Sequence, residues 1–197
     1  MEKEIGIVLK TFFPKKLKMI VLDRKLGKIE CVPPSDRSAV ASMLEYTRSV
    51  WGSVYVIKDI NILDVPLDLG RVDIQFLHHM LELCYFCAPF AQIIPGLFDL
   101  MCDLYSYMPG QLQGAHSEIK LAYIFKIVYL LGIHPDQTIP HDPLLYQLAQ
   151  KPIDTIAYNA LDLEVKQEMQ SWVRYGLLQH PLHTYFVTTS YFHEIGS

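Results

Sequence analysis

The chain has 197 residues, of which 51% are hydrophobic and 19% charged, which excludes intrinsic disorder as the main state and allows a substantial core. The formal net charge of −4 excludes a uniformly basic, polyanion-binding chain. The charge is unevenly spread: residues 1–66 carry 11 Lys+Arg against 8 Asp+Glu, and residues 67–197 carry 6 against 13, which points to two domains with different partners.

The N-terminal MEKEIGIVLKTFF mixes acids and bases with a short apolar run, unlike a secretory signal. Residues 5–9, 17–22 and 28–32 are β-rich. The last two form an expected hairpin, with Asp23 to Gly27 in its connection. Pro33-Pro34-Ser35-Asp36 closes this unit, and residues 39–47 read as helix or irregular chain. Residues 50–57 and 60–65 read as two more strands. Five short strands in about 65 residues point to a small barrel or a compact sheet.

From residue 71 the apolar period becomes helical, through Val72, Phe76, Met80, Leu83 and Cys87, and Pro89 ends that run. A second helix is expected after Pro95. A third starts at Ser117 as N-cap and ends at Gly132. A polar, proline-rich loop spans 134–143. Helical patterns follow at 144–150, 153–160 and 162–179, and residues 183–192 form a β-prone tail. The expected fold is α+β: a small N-terminal β-barrel or compact β-sheet over residues 1–68, then a helical domain over 69–197. The longest uncharged apolar run, Leu83 to Phe98, is shorter than the roughly 20 residues of a membrane span. Four cysteines and no secretion signal lead to the expectation of reduced thiols in the cytoplasm.

No local signature of nucleophilic catalysis and no phosphate-binding glycine loop occurs, so a non-enzymatic role is expected. Cys84-x-x-Cys87, near His78, His79 and Cys102, has zinc-like spacing. On one face of an apolar helix, however, two thiols are ordinary core residues. His134, Asp136, His141 and Asp142 form a second candidate cluster, whose ordinary reading is a solvated turn. No metal or other cofactor is expected at either.

The basic N-terminal stretch is the more informative feature. Lys10, Lys15, Lys16, Lys18, Arg24, Lys25 and Lys28 fall within 19 residues, with Asp23 the only acid. Phe12 and Phe13 are interleaved, and Tyr46, Trp51 and Tyr55 follow. Charge that tracks phosphates beside rings that stack on bases is how small barrels bind single strands. The seven cations are therefore the expected DNA-contacting surface.

The order of these pieces resembles the RecO family of recombination mediators. The opening strand Gly6-Ile7-Val8-Leu9-Lys10-Thr11 is similar to the family's first strand. So is the hairpin MIVLDRKLGKIECV, with Leu22, Gly27-Lys28 and Val32 in place. The resemblance continues through Glu82-Leu83, Leu97-Phe98-Asp99-Leu100, Leu130-Leu131-Gly132 with Pro135-Asp136, and the closing LLQHPLHTYFV. It covers nearly the whole chain. Pro33-Pro34-Ser35-Asp36-Arg37 stands where the family carries a basic run, and the closing motif lacks the family's bases. No cysteine follows Cys102, so the four-cysteine zinc site of many members has no counterpart.

The resemblance implies an OB-fold and a helical domain in a bacterial, nucleoid-associated protein. It implies binding of single- and double-stranded DNA, strand annealing and help in recombinase loading. RecR and the acidic tail of single-strand-binding protein are the implied partners. Such a tail needs an apolar slot and a cation, for which Lys120 and Lys126, amid Tyr123, Phe125 and Tyr129, are the expected residues. A protein–protein scaffold that keeps this fold with weak or no DNA binding is the second reading.

Overall fold

The computed structural model describes residues 2–34, 38–52, 54–106, 116–133, 143–150, 153 and 161–185. Five strands come first: β1 (Glu4–Thr11), β2 (Met19–Asp23), β3 (Gly27–Val32), β4 (Met43–Trp51) and β5 (Val54–Asp64). They close into a barrel in the order β1-β2-β3-β5-β4. The β3–β5 pair is parallel, through Cys31 opposite Tyr55 and Val32 opposite Val56, and the other pairs are antiparallel. The molecule is thus α+β, an OB-like barrel followed by helices.

Two expectations about the strands are corrected. Residues 43–51 are a strand, not helix or irregular chain: Leu44 and Tyr46 are buried in the barrel, while Glu45 between them is not. The strands expected at 50–57 and 60–65 are not two strands in those places: Val54–Asp64 is one strand, β5, and the run at 50–57 is divided between β4 and β5. It turns at Gly52, whose φ of +63° suits a tight hairpin. β-prone residues on both sides of that turn made the two strands look continuous.

The barrel encloses one core, built from Val8, Met19, Val21, Ile29, Cys31, Leu44, Tyr46 and Ile57. The alternate residues of β1 and β2, namely Ile7, Leu9, Ile20 and Leu22, belong instead to the core of the helical region. Strands buried on both faces read as continuous apolar runs, as MIVL does in β2. Helices therefore cover the outer face of β2.

Asp23 ties the barrel together at the β2–β3 turn. Its Oδ1 accepts the backbone N–H of Lys25 and of Leu26, each at 2.8 Å, and its Oδ2 accepts the buried Tyr46 hydroxyl. Burial and the neighbouring carboxylate push the Tyr46 phenol well above its ordinary value. Tyr46→Phe removes the donor and leaves a buried carboxylate oxygen short of a partner. We expect a loss of about 2 kcal/mol in urea denaturation, without change of the barrel's circular dichroism. A loss under a few tenths of a kcal/mol would mean that water replaces the hydroxyl.

Two residues, Val65 and Pro66, separate β5 from the helical region. Helix α1 (Leu67–Cys87) is interrupted at Asp73, whose φ and ψ of −153° and 80° are not helical. The Asp73 carboxylate then accepts the Phe76 N–H at 2.8 Å, as an N-cap does for a restarted helix. Helix α2 spans Leu97–Ser106 and α3 spans His116–Leu130. Beyond α3, the N–H groups of Gly132 and Ile133 bond the carbonyls of Tyr129 and Val128, a Schellman closure. Residues 121–128 of α3 are all buried, which makes it the central helix. Helix α4 (Pro143–Gln150) and α5 (Leu163–Gln179, capped by Asp162) pack around it, with Phe125 and Trp172 rings 5.0 Å apart.

His183–Tyr185, at the start of the β-prone tail, is a short 3-10 turn, and Tyr185 stacks on Phe86. The rest of that tail and the helix expected at 153–160, apart from Ile153, lie outside the described residues. Among the described residues, no helix is long and apolar enough to cross a membrane.

Candidate nucleic-acid interface

The β1–β2 loop, residues 12–18, is FFPKKLK. It is held by its own backbone. Phe12 N–H donates to the Lys18 carbonyl at 3.0 Å, Lys16 N–H to the Phe12 carbonyl at 3.1 Å, and Lys18 N–H to the Lys16 carbonyl at 2.9 Å. Inside that frame Phe13 is 54% exposed, with Leu17 exposed beside it. Lys15 and Lys16 are exposed, and no acidic partner faces them among the described residues. Lys18 is different. Its Nζ lies 2.5 Å from Glu30 Oε2 and 5.1 Å from the centre of the Phe12 ring. Lys10, at the end of β1, is exposed, and its Nζ sits 4.5 Å from the Tyr85 ring and 5.5 Å from that of Phe12.

A second projecting feature is the tip of the β4–β5 hairpin. Trp51 is 81% exposed there, flanked by exposed Val50 and Val54. The ladder Thr11–Met19–Cys31–Tyr55–Val50 links this tip to the basic loop through paired residues. From β2 to β5 is two strand spacings, about 10 Å along the sheet. Near the tip, the Arg48 guanidinium lies 5.3 Å from the Tyr55 ring. OB-folds commonly bind on the outer face of strands 2 and 3 together with these two loops. Here the helices take the β2 part of that face, and the exposed residue within β3 is the acidic Glu30. The loops are what remains open.

The seven expected DNA-contacting cations are not one surface. Lys10, Lys15, Lys16 and Lys18 are grouped at the β1–β2 loop. Arg24 and Lys25 lie in the turn at the other end of β2, roughly 20 Å along the chain from Lys18. There Lys25 pairs with Glu2 and, at 3.3 Å, with Glu4, while Arg24 lies 3.7 Å from Asp99. Lys28 is a correction. It is 4% exposed, and its Nζ donates to the Tyr85 carbonyl at 2.7 Å and sits 4.3 Å from the Phe90 ring. Burial lowers the pKa of its ammonium group. Lys28 joins the barrel to the end of α1 and presents no charge to solvent. Tyr46 is likewise a core residue and not a stacking platform.

The expected tail-binding lysines are corrected too. Lys120 forms an ion pair with Asp73, the two side chains being 13% and 15% exposed. Lys126 is buried at 9% exposure, on the central helix. Neither offers a free cation beside an apolar slot. Both lie on a helix that is apolar on nearly every face, so a lysine there must be satisfied within the protein.

Cys84 is fully buried and Cys87 partly so; burial raises both thiols, Cys87 to about 12. Among the described residues, no group of three or more His, Cys, Asp or Glu side chains is placed to hold a metal ion. The His134–Asp142 cluster lies outside the described residues. Tyr85 and Phe90, which sit against Lys10 and Lys28, carry no sequence signal. They lie more than 50 residues away from those lysines, and only the fold joins them. No family model matches the chain, and no curated protein matches it.

Proposed function

We propose that this protein is a DNA-binding recombination mediator of the RecO type, which acts by binding rather than by catalysis. In this reading it holds single strands at the β1–β2 loop, brings complementary strands together and assists recombinase loading. The carrying observation is the pair Lys15 and Lys16: cations with no acidic partner among the described residues, on a backbone-pinned loop beside exposed Phe13, with Trp51 projecting nearby. Charge supplies affinity for phosphates, and the rings supply stacking platforms for bases. Duplex DNA meets the same lysines. A RecR-like protein and the tail of single-strand-binding protein belong to the proposal as partners, the latter at a place other than Lys120 and Lys126.

A titration of labelled single-stranded DNA at two salt concentrations tests this. The wild type should bind more weakly at higher salt. Lys15→Glu/Lys16→Glu should bind at least tenfold more weakly, and its salt slope should fall by about 1.4, since each lost phosphate contact removes about 0.7. Arg24→Gln/Lys25→Gln should bind like wild type, because those cations already face Glu2, Glu4 and Asp99. Equal slopes for wild type and the Lys15/Lys16 variant would overturn the assignment. Absence of binding by the wild type would favour the scaffold reading, which the ion pairing of Lys18, Arg24 and Lys25 supports.

A further inference from the structure

A cleft of about 230 Å³ opens beside the basic loop. Phe13 and Leu17 of the loop line it from one element, and Pro33, Ser38 and Ala39 of the β3–β4 connection from another, with Thr11 at the end of β1 and the loop lysines Lys16 and Lys18 also on its lining. We propose that this cleft takes a single unpaired nucleobase, whose phosphate is held at its mouth by Lys15 and Lys16. The inference rests on the nucleic-acid reading above and adds what that reading leaves open: which part of the strand enters the protein.

Size is the first argument. The cleft is smaller than the roughly 300 Å³ at which drug-sized pockets begin, so it suits one flat ring system and not an extended ligand. The second argument is the chemistry of the lining. Phe13, Leu17 and Pro33 offer apolar surface to the faces of a ring. Two lining residues, Thr11 and Ser38, carry hydroxyls, which both donate and accept and so tolerate all four bases. Third is the charge at the mouth. Lys18, on the lining, is already paired with Glu30; Lys16, also on the lining, and Lys15, next to it in the loop, have no acidic partner among the described residues and can hold an anion. An apolar side chain with no acid beside it would fill the same space but would leave Lys15 and Lys16, which have no acidic partner among the described residues, without a counterpart. A base attached to a phosphate uses both.

Function follows from the shape. A base engaged in a Watson–Crick pair is too wide for the cleft unless it is first unstacked and pulled out of the duplex at the cost of its pairing. A single strand therefore meets the lysines and the cleft, whereas duplex meets the lysines alone. Once two strands anneal, the base leaves the cleft and the product is held less tightly than the reactant. The cleft thus gives the protein a preference for unpaired strands and a route to release the paired product.

The test compares an ordinary oligothymidine, an abasic oligomer of equal length and charge, and a duplex. Each is titrated into wild type, Phe13→Ala and Ala39→Phe; both altered residues are exposed, so the fold should persist, which thermal melting checks. Wild type should bind the abasic oligomer about tenfold more weakly than oligothymidine, in line with the loss of one stacked base. Both variants should bind oligothymidine about tenfold more weakly than wild type does. They should bind the abasic oligomer and the duplex as wild type does. If both variants match wild type on oligothymidine while Lys15→Glu/Lys16→Glu loses binding, the cleft is not a base site and the nucleic-acid reading stands without it. If wild type binds none of the three, both inferences fall together.

Discussion

Replacing Lys120 by Glu is expected to cost about 3–5 kcal/mol of folding stability, read as a fall of about 10 °C in Tm. The Lys120 ammonium is paired with the Asp73 carboxylate in a site where both side chains are mostly buried, and it also lies 5.9 Å from the Phe76 ring. The same Asp73 restarts α1 by accepting the Phe76 N–H. A glutamate at 120 sets two carboxylates against each other at the point where α1 and α3 meet. Lys120→Met removes the attraction without adding repulsion, so it should cost less. Like-charge repulsion raises the folded-state pKa of the pair above its unfolded value. The Lys120→Glu variant should therefore regain part of its stability, relative to wild type, as pH falls through that raised value. Urea denaturation of the three proteins at pH 7 and pH 5 checks both statements. A Lys120→Glu variant within 1 kcal/mol of wild type would show that the pair is solvated.

What the sequence makes legible here is set by how locally each signal is encoded. The first three strands and the switch to helices are carried by apolar periodicity, which needs only near neighbours. The burial of β2 on both faces is visible in the same way, as an unbroken MIVL run. The β4–β5 hairpin is hidden in the sequence because its turn rests on Gly52, while Val50, Trp51, Val54 and Tyr55 around it are all β-formers. Residues 39–47 were ambiguous because β4 alternates apolar with polar side chains for a barrel interior that only forms once β1 and β5 are in place.

The candidate site divides along the same line. The loop with Lys15, Lys16 and Phe13 is one contiguous segment, and its chemistry is on view in seven letters. The sevenfold cation cluster was less reliable, because nearness along the chain is not nearness on a barrel. A five-residue strand sends Arg24 and Lys25 away from Lys18, and strand alternation turns Lys28 toward α1. The acids that neutralise these cations, Glu2, Glu4, Glu30 and Asp99, are assigned by pairing and packing alone. The same is true of the cleft, whose lining comes from β1, the β1–β2 loop and the β3–β4 connection.

Gly27→Ala is expected to cost about 3 kcal/mol or more and to loosen the join between barrel and helices. Gly27 opens β3 with a φ of +74°, where an L side chain adds roughly 1–2 kcal/mol of strain. A Cβ there would also lie 1.9 Å from the Gln92 carbonyl oxygen and 2.5 Å from its carbon, so backbone has to move. The backbone in question is the join itself. Lys28 pairs with Phe90 as an isolated parallel bridge, Ala91 N–H donates to the Lys28 carbonyl at 2.8 Å, and Lys28 Nζ reaches the Tyr85 carbonyl. Pushing residues 90–93 outward strips the Lys28 carbonyl of its donor and opens a path for water to a buried ammonium. Gly52→Ala supplies the control. Its φ of +63° is of the same kind, but nothing among the described residues lies within 4 Å of an added Cβ, so only the conformational strain of roughly 1–2 kcal/mol applies. The difference between the two variants in denaturant unfolding isolates the contact with residues 90–93, and faster hydrogen exchange at the Ala91 amide in Gly27→Ala would locate it. Equal losses for the two variants would show that Gly27 serves the turn alone and that the join survives without it.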